Sequence, residues 1–526
     1  MKKAIGLLLV MMLSLSMAAC GGKNTKNTNA NPDTGNKTSV TEKKEDPKAP
    51  VVEEDKPLFD KPVEITMMTD SHPSWPFQDD WYVVKAIKEH TNAVLKVDAI
   101  GGSSFSEKFN ITMASGDLPD LMWLTKNQAQ KYGAEGAFAN VLDHLDNMPN
   151  FKKWYESDTD YALNFADAEG KLYGLPVIGM GETNTRGYLY REDIFKKHNL
   201  QVPTNEVEFY DVLKELKKEY PNSYPFAFRA GINQFLMMAP QWGTNAEPAY
   251  LPDPSKNEWA YGAVSDEFKE MTVYFNKLYK EGLIPTDFLT LSTGAWENIM
   301  TTSEGFIAVD YLVRIDSLNS PMREQNPDFT IAYMAPPKMG TNGQAMFPFS
   351  AVMDRMVVVS NNDNTENALK YADWMFSDEA KELLSWGEEG KTYTVENGER
   401  KWIDVVDMAD IRRNYGLSTN LLYANFDYNA HMATFTPELF EATVESTKYN
   451  LPETPAIAFL DEEKDVQSLR ATAIKDHRDE QFSRFIVGDR PLSEWDAYVK
   501  EIYDLGLEEH LAMYQKAYQR RLDSQK

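Results

Sequence analysis

Indole rings and a set of hydrogen-bonding side chains near strand ends are the residues with the most chemistry to offer in this sequence. Trp242 sits in Gln241-Trp242-Gly243-Thr244-Asn245, a polar stretch without helical periodicity. Trp386 lies in Ser385-Trp386-Gly387-Glu388-Glu389-Gly390, just past a helix end, and Trp75 and Trp123 fall at the ends of apolar runs. A sugar ring has a flat apolar face edged by hydroxyls, and an indole offers it a large rigid amphipathic surface at small entropic cost. Each of these tryptophans reads equally well as packing, because indoles are mostly buried somewhere. Trp296 opens an amphipathic helix and reads as core. Ring hydroxyls need donors and acceptors as well. Asp70, His72, Asn127, Glu182, Asn184, Arg186, Asp310, Tyr311 and Arg355 stand at expected strand ends or crossings and could supply them, or could be solvated charges and local caps.

Other chemistries find less support. The chain has no G-x-S-x-G elbow, no phosphate-cradling glycine loop and no cysteine placed as a nucleophile. Glu388-Glu389 and Glu462-Glu463 are carboxylate pairs, but a glycosidase needs two carboxylates facing each other across a cleft, which adjacency in sequence does not provide. His72 has no second histidine at ligand spacing. Asp167, Glu169 and Gly170 sketch the start of a calcium loop without its regular ladder of oxygen ligands or its closing glutamate. No cofactor is therefore expected, with room left for a structural calcium.

The 526 residues are enough for a large core, and 42% of them are hydrophobic. The net charge of -27 speaks against nucleic acid, whose phosphates need a basic footprint. One cysteine cannot form a disulfide within the chain, so the fold must rest on its core. The N-terminus reads as an export signal: Lys2 and Lys3, an apolar run from Ala4 to Met17, then small residues ending at Cys20. Residues 21–60 are polar, charged and proline-containing and read as a disordered linker.

The elements expected to position the candidate residues alternate in type. Val63–Met68 reads as a strand, Gln78–Glu89 as a helix and Ala93–Ile100 as a second strand. Ser104 and Glu107 have capping-box spacing ahead of another helix, and Leu121–Leu124 is a buried-type strand. That order predicts an α/β fold with a parallel sheet, whose ligands sit beyond the carboxyl ends of the strands. Asn205 and Glu208 cap a helix with Phe209, Val212, Leu213 and Leu216 inward. Gly305–Val309 and Arg355–Val359 read as further strands, Thr365–Ser377 as a helix, and Ser493 and Asp496 as the cap of a late helix.

Several stretches resemble one family. Met17-Ala18-Ala19-Cys20-Gly21 resembles a bacterial lipobox, with Met17 where leucine is commoner. Ser115–Leu121, Asp167–Pro176, Gly187–Asp193, Asn199–Phe209, Leu278–Ile284 and Phe485–Trp495 resemble, in order, segments of family-1 extracellular solute-binding proteins of ABC sugar importers. The resemblance implies cleavage before Cys20 and its acylation, giving a monomeric body anchored to the outer face of the cell membrane. It implies a two-lobed, type II periplasmic-binding-protein-like fold with hinge-crossing strands near Gly187–Tyr190 and Val352–Val358. One lobe would hold residues 61–186 and 356–410, the other 187–355 and 411–526. It implies a non-enzymatic receptor that binds an oligosaccharide and hands it to separate ABC permease subunits. The competing expectations are an exported glycan-degrading enzyme and a receptor for peptides or another solute on the same fold.

Overall fold

The computed structural model describes residues 56–524 except 180–185, 230, 254 and 350–352. The signal segment with Cys20, most of the linker, Glu182, Asn184 and Val352 lie outside the described residues. The folded body begins before Lys61, where the linker was expected to end. Phe59 is buried, and its amide donates to the Thr91 carbonyl at 3.0 Å.

The strands, in chain order, are β1 (Val63–Ser71), β2 (Ala93–Gly101), β3 (Leu121–Leu124), β4 (Leu175–Pro176), β5 (Arg186–Arg191), β6 (Ile307–Tyr311), β7 (Ile331–Met334), β8 (Met356–Val359), β9 (Tyr393–Glu396) and β10 (Glu399–Trp402). The first sheet has the order β2-β1-β3-β8-β4. Its β1, β2 and β3 are parallel, as the strand–helix alternation predicts, but β8 runs antiparallel to both β3 and β4. β8 enters from far along the chain, so no short crossover forces it parallel. All four of its residues are buried, consistent with a strand covered on both faces. The second sheet, β6-β5-β7, is wholly antiparallel. β9 and β10 form a separate hairpin.

Each sheet carries its own hydrophobic core. The first takes residues from Phe59 to Val177 and from Met356 to Ala430; the second runs from Tyr188 to Phe347 and from Ile474 to Leu507. Residues Ile411 to Ala430, expected in the second lobe, pack in the first core, where Leu421, Leu422, Tyr423 and Ala424 are all buried. Gly187–Tyr190 lies inside β5, the middle strand of the second sheet, and Met356–Val358 inside β8.

Local sequence explains several helix ends. The Asn205 side chain accepts from the amides of Val207 and Glu208, a cap that contributes about 1 kcal/mol to the helix Glu206–Glu219. Two expected caps are absent. The helix Gly102–Ser115 starts ahead of Ser104, and Trp495–Asp504 follows a 3-10 turn; neither has a side-chain cap. The C-terminal region is helical, and the helix Asp461–Val487 locks onto Asp266–Lys280. There the Asn276 amide donates to the Phe485 carbonyl at 2.8 Å.

Candidate functional site

A cavity of about 1030 Å³ is walled by side chains from segments that pack in both cores. Lys126, Asn127, Asn164, Phe165 and Asp354 come from the side of the first sheet; Arg186, Asn233, Met237, Asn245 and Tyr261 come from the second. Asn127 stands in the first turn of the helix Lys126–Ala134. Thr125 caps that helix in a reciprocal capping box with Gln128, and the Lys126 amide donates to the Asp354 carboxylate at 2.8 Å. Burial lowers the Lys126 ammonium below its usual range.

Arg186 opens β5 at the cavity wall. Its guanidinium lies 4.0 Å from the Tyr311 ring centroid, donates to the Tyr311 hydroxyl and contacts the Met237 sulfur at 3.1 Å. Its Nε is buried with no hydrogen-bond partner. A buried donor left unpaired costs about 1–3 kcal/mol. Across the wall, Arg478 bonds the Ala246 carbonyl at 2.6 Å and Asp479 at 2.8 Å. Burial pushes the Tyr261 phenol up to about 12, against the opposing charge of Arg478.

A second group of candidates meets at the carboxyl end of β1. Trp75 is half-buried and stacked on His72, with ring centroids 3.7 Å apart. Arg412 lies over its ring at 4.9 Å. Asp70 accepts from the Asn420 amide at 3.0 Å. Burial holds the Tyr423 phenol far above its usual range, with the charges of Arg412 and Arg355 opposing and that of Asp70 adding to the shift. All three charged groups therefore act on one buried hydroxyl. Arg355 adjoins Asp354 of the cavity wall, and its Nη1 donates to the Asp354 carbonyl at 2.7 Å.

The structure does not bring the other candidates to the cavity. Trp242 is 1% exposed. It ends a 3-10 turn, Ala239–Trp242, whose four residues are all buried, so the absence of helical periodicity marked a buried turn and not a surface loop. Its ring packs on Tyr274 and against Gly340, where an added Cβ would meet the indole at 2.7 Å. Trp386 is buried against Trp402 of β10 and donates to Asp427 at 2.8 Å. Trp123 lies within β3, buried edge-on against Tyr423. Trp296 is core as expected, its Nε1 donating to the Ala227 carbonyl at 3.2 Å. Asp310 is 2% exposed and closed by Arg229 at 2.6 and 2.9 Å and by Arg314 at 3.4 Å.

The calcium sketch closes on itself: the Asp167 carboxylate accepts from the amides of Glu169 and Lys171 at 3.0 and 2.8 Å. Among the described residues no group of three or more His, Cys, Asp or Glu side chains is arranged to hold a metal. Sequence reasoning missed Asn164, Phe165, Asn233, Asn245 and Tyr261. They come from separate segments of both cores, and only an aromatic or an amide marks each one, Asn233 within the short helix Ile232–Leu236.

Comparison with known proteins bears on the arrangement. Residues 82–386 match the family model described as bacterial extracellular solute-binding protein. Lipoprotein LipO of Bacillus subtilis is 26% identical over 336 residues, 60% of this chain and 64% of that protein. The fructooligosaccharide ABC transporter substrate-binding protein FusA of Streptococcus pneumoniae is 23% identical over 464 residues, 79% of this chain and 82% of its own. Among solved structures, an HMO-binding, ABC-transporter-associated solute-binding protein from Bifidobacterium longum infantis superposes with a TM-score of 0.72 at 19% identity. It covers 88% of this chain and 99% of that one, and the likeness identifies an α/β periplasmic-binding-protein-like fold. With the family model matched over more than half of its length, this chain belongs to the bacterial extracellular solute-binding proteins, receptors that bind without catalysis.

Proposed function

We propose that the protein captures an oligosaccharide in the cavity between its two bodies and delivers it to the membrane permease of an ABC importer. The observation that carries this reading is the cavity wall itself. Amides (Asn127, Asn164, Asn233, Asn245) and rings (Phe165, Tyr261) converge from both bodies on one space, which suits alternating hydroxyls and flat ring faces. At about 1030 Å³ it stands at the upper end of the roughly 300–1,000 Å³ typical of small-molecule sites, room for more than one ring. A solute touched from both sides favours whichever arrangement of the bodies makes both sets of contacts. Relatives named for fructooligosaccharides and for ABC transport support the solute class.

Of the candidate residues, Asn127 and Arg186 stand in the cavity wall and Tyr311 packs on Arg186, which supports reading these three as solute contacts. Export and acylation at Cys20 would hold the monomer at the outer face of the membrane, in keeping with a lipoprotein relative. Among the described residues no helix is long and apolar enough to cross a membrane.

A thermal-shift panel of oligosaccharides and peptides tests the reading. A solute at a hundred times its Kd stabilises the bound form by about 2.7 kcal/mol. At least one oligosaccharide is expected to raise the melting temperature by several degrees while peptides leave it unchanged. The reverse pattern would make this a peptide receptor.

A further inference from the structure

In a chain where Asp and Glu outnumber Lys and Arg by 81 to 54, arginines find acidic partners easily. Among the described residues every arginine but three has a carboxylate within 4.0 Å, whether buried, as Arg191 and Arg478, or on the surface, as Arg413 and Arg484. The three exceptions are Arg186 in the cavity wall, Arg355 next to Asp354 of that wall, and Arg412 at the Trp75 ring. Arg186 forms part of the cavity wall with its Nε buried and unpaired. Arg355 follows Asp354 of the same wall. Arg412 is held by the Trp75 ring and by the Ser418 carbonyl at 3.3 Å.

Among the described residues, these three have no carboxylate within 4.0 Å in an otherwise acidic protein. Each is instead fixed by uncharged groups: a phenol and a thioether, a backbone carbonyl, and an indole with a backbone carbonyl. Such contacts hold a guanidinium in place and leave donors free. A guanidinium presents a planar fork that matches a carboxylate in two parallel hydrogen bonds, which a hydroxyl cannot reproduce. We propose that the oligosaccharide bound here carries carboxylates, as a chain of uronic-acid residues does, and that its acid groups take the place of the missing partners of Arg186, Arg355 and Arg412. This rests on the oligosaccharide reading above and adds the solute's charge to it.

The test uses the full-length protein and short oligosaccharides from polygalacturonate, alginate and hyaluronan, set against neutral ones from inulin, arabinan and mannan. A uronate oligosaccharide is expected to raise the melting temperature. By calorimetry it should bind at least about tenfold tighter than its carboxyl-reduced counterpart, the weight of a charge-assisted hydrogen bond. Arg186→Gln and Arg412→Gln are each expected to remove about tenfold or more of the affinity for the acid and a clearly smaller factor of that for the reduced sugar. Equal binding of the reduced sugar, or wild-type affinity for the acid in both variants, would overturn the proposal. A response to neutral oligosaccharides alone would overturn it while leaving the oligosaccharide reading in place; silence from every sugar would remove both.

Discussion

β5 and β6 lie side by side, with Arg186 opposite Tyr311 and Gly187 opposite Asp310, yet the charged groups at this shared sheet end behave in opposite ways. Asp310 is sealed: two arginines and the Tyr311 amide occupy its carboxylate, and almost none of it reaches solvent. Among the described residues Arg186, one position along the neighbouring strand, meets a phenol and a thioether but no carboxylate within 4.0 Å. A closed ionic node contributes to the fold, and removing one member strands the others. An arginine with no carboxylate of its own can take one from outside. The difference sets a closed node of a carboxylate and two arginines beside an arginine with no described carboxylate.

Substitutions can break that contrast, and the largest effects belong on the closed side. Asp310→Asn leaves Arg229 without its carboxylate and takes one of two from Arg314, which keeps Glu297, and is expected to cost about 3–5 kcal/mol in urea unfolding. Trp242→Ala removes a fully buried indole and should cost about 3–5 kcal/mol by the same measurement. A solute-stacking tryptophan would instead lose affinity at nearly unchanged stability.

Acid sharpens the contrast at a second closed node. Burial alone would raise the Glu463 carboxyl, but hydrogen bonds from Arg520, Lys516 and the Leu460 amide outweigh it and hold the group at about 2. The unfolded chain then takes up this proton at a higher pH than the folded one. The stabilisation is complete above about pH 4.5 and disappears as the pH falls towards 2. Glu463→Gln should flatten that limb of the stability–pH curve, removing about 2 kcal/mol of stability at neutral pH.

The smallest stability effect is expected on the open side. Arg186→Gln should shift unfolding by less than about 1 kcal/mol, because no ion pair is lost, while weakening solute binding by about tenfold or more. A large loss of stability in this variant would show that Arg186 is part of the scaffold and that the two ends of the strand pair do not differ.

Periodicity and punctuation carried much of the architecture. Leu121–Leu124 is β3, Ala93–Ile100 is β2 less its last residue, and the Asn205 cap with Phe209, Val212, Leu213 and Leu216 inward is present as read. Short-range patterns express local geometry, and local geometry survives folding. What they could not express was which distant segment joins which sheet. β8 inserts antiparallel between β3 and β4, and residues 411–430 return to the first core. The tryptophans show the same limit. Trp242 and Trp386 stand among polar neighbours in sequence because their loops bond to distant partners, and those partners bury them. Arg186 was legible as a polar residue near a strand end, but its lack of a carboxylate is a fact about three dimensions.

The most direct measurement is a calorimetric titration of the full-length protein, wild type and Arg186→Gln, with the oligosaccharide that most raises its melting temperature, followed by chromatography of the recovered sugar. The account predicts one equivalent bound per chain, sugar returned unaltered, and an Arg186→Gln variant that melts like wild type but binds about tenfold or more weakly. Cleaved sugar, no oligosaccharide that titrates, or undiminished affinity in the variant would contradict it.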